Sequence, residues 1–199
     1  MTSSSDEDDA AAVRAVLGGD REAFRRLVDR HARSILSLAY RLTGNAADAE
    51  DLTQESFLQA YARLPEFRLG ARFHPWLYTI ALNLCRSHLR KRALVRWFAP
   101  AARRPDDRAA VSEPRAPVRD PEQELLAEEA EQCLHDAVRA LPPKYREVFV
   151  LRQAQGLAYE EIAALLALPL GTVETRLFRA RRLLLESLQS GAFRLRKAK

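Results

Sequence analysis

Two adjoining segments, EEIAALLALPL and GTVETRLFRAR, constrain the fold of this chain more than any other feature. At about 100° per residue, Val173, Leu177, Ala180 and Leu184 of the second segment fall on one face of a helix. Thr175, Phe178, Arg179 and Arg182 lie away from that face, and packing alone has no use for the aromatic ring of Phe178 there. The upstream segment supplies another amphipathic helix, and Leu168-Pro169-Leu170 forces a tight turn between the two. Two short helices joined this way, the second basic on its outer side, predict a helix-turn-helix that reads duplex DNA.

The rest of the chain is also patterned for helices. Phe24, Leu27, Val28, His31, Ile35, Leu38, Ala39 and Leu42 keep helical spacing behind a capping Asp20, and Gly44 ends that run. Asn45 starts the next helix, which buries Ala49, Leu52, Phe57, Ala60, Tyr61 and Leu64 before Pro65. After the loop EFRLGARFH, Pro75 opens a third helix that runs to about Arg92. The pattern then collapses around Pro100, Pro105, Pro114 and Pro117, as a linker requires. Leu94, Val95, Trp97 and Phe98 can extend the first domain or pack on it. Asp120-Pro121-Glu122-Gln123 has the cap and first turn of a new helix, Pro142-Pro143 ends it, and Lys144 to Gln153 forms the following one, closed by Gly156.

The expected architecture is all-α, two helical domains joined by a flexible linker. Residues 1–19 form an acidic tail or short helix, 20–92 the first domain, 93–119 the linker, 120–188 the second domain, and 189–199 a basic tail. With 47% hydrophobic and 30% charged residues, the 199-residue chain can bury real cores. No convincing strand pattern or internal repeat interrupts the helical reading.

The net charge of +5 is modest, but its distribution is not. Phe67 to Pro105 holds nine basic residues and no acidic one, and Arg176 to Lys199 holds eight against the single Glu186. Asp120 to Val138 carries seven acidic residues and no Lys or Arg. Segregation of this kind points to polyanion contact in two separate places. Only Lys91, Lys144, Lys197 and Lys199 of the 32 basic residues are lysines. Arginine suits bidentate phosphate and base contacts, although an Ala- and Arg-rich codon usage explains the bias equally well.

Cys85 and Cys133 make no disulfide framework, so a reducing compartment is expected. The acidic start MTSSSDEDDA is the opposite of a signal peptide, and no apolar run approaches the roughly 20 residues of a membrane span. The expectation is a soluble, cytoplasmic protein without membrane insertion.

Three constellations carry chemistry. On the third helix, Trp76, Thr79, Asn83, Arg86 and Arg90 share an outward sector, opposite Leu77, Ile80, Ala81, Leu84 and Cys85. An aromatic edge beside Asn and Arg suits stacking on unpaired bases and holding a backbone, although a solvated basic face would look the same. Phe67, Arg68, Arg72 and Phe73 in the preceding loop add basic and aromatic groups for a splayed-out base. The second helix is acidic through Asp48, Glu50, Asp51 and Glu55, either a solvated face or a docking surface for a basic partner. Cys85 and His88, at i and i+3, read as core residues rather than a metal site. Neither a phosphate-cradling loop nor a nucleophile–base pair occurs, so neither enzymatic activity nor a cofactor or metal is expected.

The strings DAEDLTQESFLQAYARLPEFR, FHPWLYTIALNLCRSHLRKR and LPPKYREVFVLRQAQGLAYEEIAALLALPLGTVETRLFRARRLL resemble the extracytoplasmic-function sigma factors, initiation subunits of bacterial RNA polymerase. The resemblance spans about Asp20 to Leu188 with the motifs in the family's order. It implies that Asp48, Glu50, Asp51, Gln54 and Phe57 bind the clamp helices of the polymerase β′ subunit. It implies that Phe67, Arg68, Arg72, Phe73, Trp76, Thr79, Asn83, Arg86 and Arg90 melt and read the minus-ten element, unstacking bases at a cost of a few kcal/mol. The second domain would read the minus-thirty-five element in the major groove. Gly171 and Thr172 would lie near phosphate, with Glu174, Thr175, Phe178 and Arg179 at base edges and Arg176 and Arg182 on phosphate. An anti-sigma factor is also implied as a partner.

Two positions depart from the family pattern. Glu174 stands where a basic residue is common, and Ala158 replaces the usual hydroxyl cap of the motif's first helix, a loss of about 1 kcal/mol unless another group caps that end. A stand-alone helix-turn-helix regulator would need a dimerisation helix, for which Gln189 to Lys199 offers little. A protein-interaction adaptor with a vestigial DNA surface finds support only in Glu174.

Overall fold

The computed structural model describes residues 4–98, 132–153 and 155–197, with side chains described for 5–95, 132–153 and 155–189. The chain divides into two compact units, Met1–Asp107 and Arg108–Lys199. Every regular element in the described residues is helical.

Unit 1 contains α1 (Ser4–Leu17), α2 (Ala23–Thr43), α3 (Ala46–Arg63), a short 3₁₀ turn (Leu64–Glu66) and α4 (Phe73–Phe98). The α2–α3 corner forms as the local chemistry dictates. Gly44 takes the left-handed conformation at φ 71°, and the Asn45 side chain accepts from the Asp48 N–H at 2.8 Å, capping α3. Asp20 accepts from the Ala23 N–H at 3.3 Å and so assists the start of α2.

The core is built from the expected stripe of α2, except that Val28 is only half-buried, together with residues that simple periodicity does not mark. Tyr78 and Leu82 are fully buried while Leu84 is not, because α4 packs against α1, α2 and α3 rather than one neighbour. Burial pushes the Tyr78 phenol up to about 12, despite its hydrogen bond with Ser34, so it stays neutral. Tyr61, expected in the core, is 40% exposed and packs T-shaped with Phe24, 5.0 Å between centroids. Cys85 is buried and His88 half-buried; α4 continues past Arg92, and Leu94 and Val95 point to solvent instead of packing. The side chains of Trp97 and Phe98 lie outside the described residues.

The acidic N-terminus is part of this core. Ala12 and Val13 of α1 are buried, and Asp9, 2% exposed, accepts from Arg30 Nη1 at 2.6 Å and sits 2.8 Å from His31 Nε2. Burial alone would raise the Asp9 carboxyl; its hydrogen bonds with His31 and Arg30 and their positive charge outweigh that and hold it below the ordinary carboxylate value.

Unit 2 contains α5 (described over 132–140), α6 (Pro143–Gln153), α7 (Tyr159–Leu166) and α8 (Leu170–Lys197). The linker prolines Pro100, Pro105, Pro114 and Pro117 and the cap at Asp120 to Gln123 lie outside the described residues. Arg146 reaches back to donate to the carbonyls of Arg139 and, at 3.0 Å, Leu141, tying α6 to the end of α5. Glu161 accepts from the Ala158 N–H at 2.8 Å and supplies at α7 a contact that the missing hydroxyl cannot. At the other end of α7, Ala167 adopts φ 51° and ψ 51°, a conformation normally left to glycine, and the Leu168 N–H closes on the Ala163 carbonyl at 2.9 Å. Helix α8 runs on to Lys197, so the backbone from Gln189 continues the helix instead of forming a separate tail. No described helix is long and apolar enough to cross a membrane.

Replacing Asp9 by Asn should cost unit 1 about 1–3 kcal/mol, read by chemical denaturation. Because the folded-state value of Asp9 is depressed, its contribution is present above the ordinary carboxylate range and lost as pH falls through the depressed value; the variant should lack that component of acid sensitivity. Ala167→Gly relieves the left-handed strain at some cost in chain entropy, and should stabilise unit 2 by about 0.5–1 kcal/mol, seen as a higher melting temperature.

Candidate nucleic-acid interface

In unit 1 the loop after the 3₁₀ turn is fixed at both ends. The Phe67 N–H bonds to the Leu64 carbonyl at 3.0 Å, and the Ala71 N–H to the Arg68 carbonyl at 3.0 Å, with Gly70 at φ 92° making the turn. Phe67 and Phe73 are only 7% and 2% exposed. Their rings meet at 6.0 Å, and both back onto Trp76, at 5.0 and 5.6 Å. Both rings are taken up by packing, so neither face lies open at the surface, unlike the loop aromatics the sequence suggests. They form the apolar floor that props the half-buried Trp76 at the surface.

Beyond Trp76, the outer strip of α4 holds the exposed Thr79, Asn83 and Arg90, with Arg86 half-buried. The Thr79 hydroxyl donates to the Pro75 carbonyl at 2.9 Å, so its oxygen keeps acceptor capacity. Arg68 is exposed, as is Leu69 at the loop tip. Arg72 Nε donates to Asp6 of α1 at 3.1 Å, a pairing that sequence distance hides completely.

The acidic helix α3 separates into two faces. Glu50, Asp51 and Gln54 are exposed together with Leu58, which is 66% exposed one helical line along from them. Phe57 is only 7% exposed and packs edge-on to Phe24 at 6.4 Å, so the apolar side chain presented beside these carboxylates is Leu58. The helical period already places Phe57 on the buried stripe, and Leu58, one residue on, falls outside it. Asp48 turns inward, with Arg92 Nη1 at 2.6 Å and His88 Nε2 at 3.3 Å on the same oxygen. It binds α3 to α4 as much as it decorates the surface.

In unit 2 the outer face of α8 is open. Val173, Leu177, Ala180 and Leu184 are buried, while Glu174, Thr175, Phe178, Arg179 and Arg182 are exposed and Thr172 and Arg176 half-buried. Phe178 is 68% exposed, an apolar ring held in water by a helix whose inner face is full. Gly171 is exposed, and a Cβ there would meet nothing within 4 Å. The Thr172 N–H already bonds to the Pro169 carbonyl at 2.9 Å. The Thr175 hydroxyl donates to the Gly171 carbonyl at 2.7 Å, and Arg182 pairs with Glu186 at 3.2 Å. Tyr145, absent from the sequence-based candidates, stands beside Arg179, whose Nη1 donates to the Tyr145 hydroxyl at 3.4 Å, and Lys144 lies over the Tyr145 ring. That hydrogen bond, with lesser help from the Lys144 and Arg179 charges, lowers the Tyr145 phenol below its ordinary value.

The family model for Sigma-70 region 2 matches residues 27–95, and that for Sigma-70, region 4 matches residues 131–184. The RNA polymerase sigma-H factor of Pseudomonas aeruginosa is 35% identical over 192 residues, covering 92% of this chain and 95% of that protein. The ECF RNA polymerase sigma-E factor of Haemophilus influenzae is 34% identical over 190 residues, covering 91% and 95%. Among solved structures, the sigma factor RpoE of Bartonella quintana, crystallised with the anti-sigma factor NepR, is similar at a TM-score of 0.67 and 26% identity, covering 83% of this chain and 96% of that one.

A region 2 bundle followed by a region 4 helix-turn-helix defines a transcription initiation factor. The chain belongs to the sigma-70 family, in its extracytoplasmic-function group of RNA polymerase sigma factors. It binds core RNA polymerase and directs promoter-specific initiation, and its family is one of initiation factors rather than known enzymes.

Phe57→Ala should lower the stability of unit 1 by about 3–5 kcal/mol, whereas Leu58→Ala should stay within about 0.5 kcal/mol of the parent. Thermal denaturation of the two variants side by side checks the assignment of core and surface.

Proposed function

We propose that each unit reads one promoter element and that α3 docks on the polymerase. The observation that carries this is the order of the two family matches along a single chain, region 2 then region 4. On α3, Glu50, Asp51, Gln54 and Leu58 supply the contact with the β′ clamp helices: carboxylates rim a single apolar side chain, as suits a basic partner helix. Asp48 contributes mainly by fixing α4 to α3.

Trp76 is the stacking residue for the minus-ten element, held from behind by Phe67 and Phe73, with Thr79, Asn83, Arg86 and Arg90 along the strand path. Arg68 and Arg72 hold backbone at the loop. On α8, Phe178 and Arg179, with Glu174 and Thr175, face base edges of the minus-thirty-five element, and Arg176 and Arg182 face phosphate. Gly171 leaves room at the helix start for a phosphate to approach. The structure of the similar RpoE in complex with the anti-sigma factor NepR supports an anti-sigma partner for this chain as well. The protein works in the cytoplasm, has no catalytic residues of its own, and uses no cofactor.

Run-off transcription with bacterial core RNA polymerase on a genomic library tests the reading. Defined transcripts should depend on the protein. Leu58→Asp should weaken co-elution with core polymerase at unchanged stability, and Arg179→Ala should cost about 1–3 kcal/mol of upstream-element discrimination. Absence of both transcripts and co-elution would overturn it.

A further inference from the structure

Phe178 and Arg179 are neighbours on α8, yet the structure gives Arg179 a guide. Its guanidinium donates to the hydroxyl of Tyr145, 34 positions earlier in the chain and in the first turns of α6. Lys144 Nζ lies 5.0 Å from the Tyr145 ring centroid, so a second cation sits against the same side chain, on its ring and not at its hydroxyl. The base of this arrangement is firm, since Val148 and Leu151 of α6 are buried and α6 packs against α8.

An arginine on an open helix face must give up side-chain freedom to present its planar fork to a base edge. A hydroxyl that accepts from one guanidinium nitrogen narrows that freedom before DNA arrives and leaves the remaining donors for the duplex. Tyrosine suits the task because its rigid ring carries the oxygen out to the guanidinium with only two rotatable angles. In water the exposed contact is weak. Against a duplex that excludes solvent it strengthens, because the competing water is gone.

We propose that Tyr145 is a positioning residue for promoter reading: its hydroxyl orients the Arg179 guanidinium toward the base edges, with Lys144 held alongside as a cation for the flanking backbone. This rests on α8 being the reader of the upstream element, so the experiment separates the two ideas. Full-length protein and core polymerase are assayed on a promoter recovered by run-off, with every base pair of its upstream element varied in turn. Arg179→Ala should flatten the preference at one position. Tyr145→Phe should reduce the preference at that same position about three- to tenfold, leave other positions alone, and leave the melting temperature unchanged. The double variant should be no worse than Arg179→Ala. The Tyr145 phenol, followed by absorbance against Tyr145→Phe, should titrate below the ordinary 10.0 and return toward it in Arg179→Ala.

A flattened Arg179→Ala beside a fully selective Tyr145→Phe overturns the positioning role. A Tyr145→Phe loss spread evenly over all base variants also overturns it, since that is the mark of a phosphate contact. An Arg179→Ala that keeps every preference overturns the assignment of α8 itself, and the role of Tyr145 with it.

Discussion

The burial of α4 against three helices at once is the constraint on which unit 1 depends. Leu77, Tyr78, Ile80, Ala81, Leu82 and Cys85 are all taken into the core, so only a narrow outer strip of the helix is left to face anything else. That strip carries Thr79, Asn83 and Arg90, and its position follows from what the core has already consumed. The aromatic floor works in the same direction. Phe67 and Phe73 are spent on packing, which makes the loop a rigid support instead of a set of loose stacking groups.

Charge organisation ties the pieces of unit 1 together. Asp9 meets Arg30 and His31, Asp48 meets Arg92 and His88, and Asp6 meets Arg72. Each pair joins one helix to another helix or to the loop. The partly buried pairs resist solvent screening better than surface pairs do, and they fix which helix faces lie together. The segregation of acidic and basic residues along the chain is thus used partly inside the fold, and the remainder faces outward.

Unit 2 fixes the outer face of α8 by a different device. The turn between α7 and α8 closes through a non-glycine residue in the left-handed region, Ala167, followed by Pro169, which begins α8 through its carbonyl. With Val173, Leu177 and Ala180 locked inward, the opposite face of α8 has no freedom to rotate. Phe178 and Arg179 are exposed as a consequence of that inward lock, and Tyr145 meets Arg179 because α6 lies beside α8.

The sequence by itself determined the all-helical class, the helix-turn-helix, the Gly44–Asn45 corner and the outward direction of Phe178. These are legible because each rests on local rules: a 3.6-residue period, a capping side chain, a left-handed glycine. It also carried the family, since the motifs recur in order over most of the chain. Tertiary structure alone decided that Phe67 and Phe73 pack into a floor beneath Trp76, that Tyr61 is left at the surface, and that α1 belongs to the core. A single period cannot show how many neighbours a helix will have, so α4 lost Tyr78 and Leu82 to faces that periodicity assigns elsewhere. Nor can spacing along the chain reveal a meeting such as Asp6 with Arg72 or Tyr145 with Arg179. Those contacts exist only because packing of apolar faces, a non-directional force, brings distant polar groups within hydrogen-bonding reach.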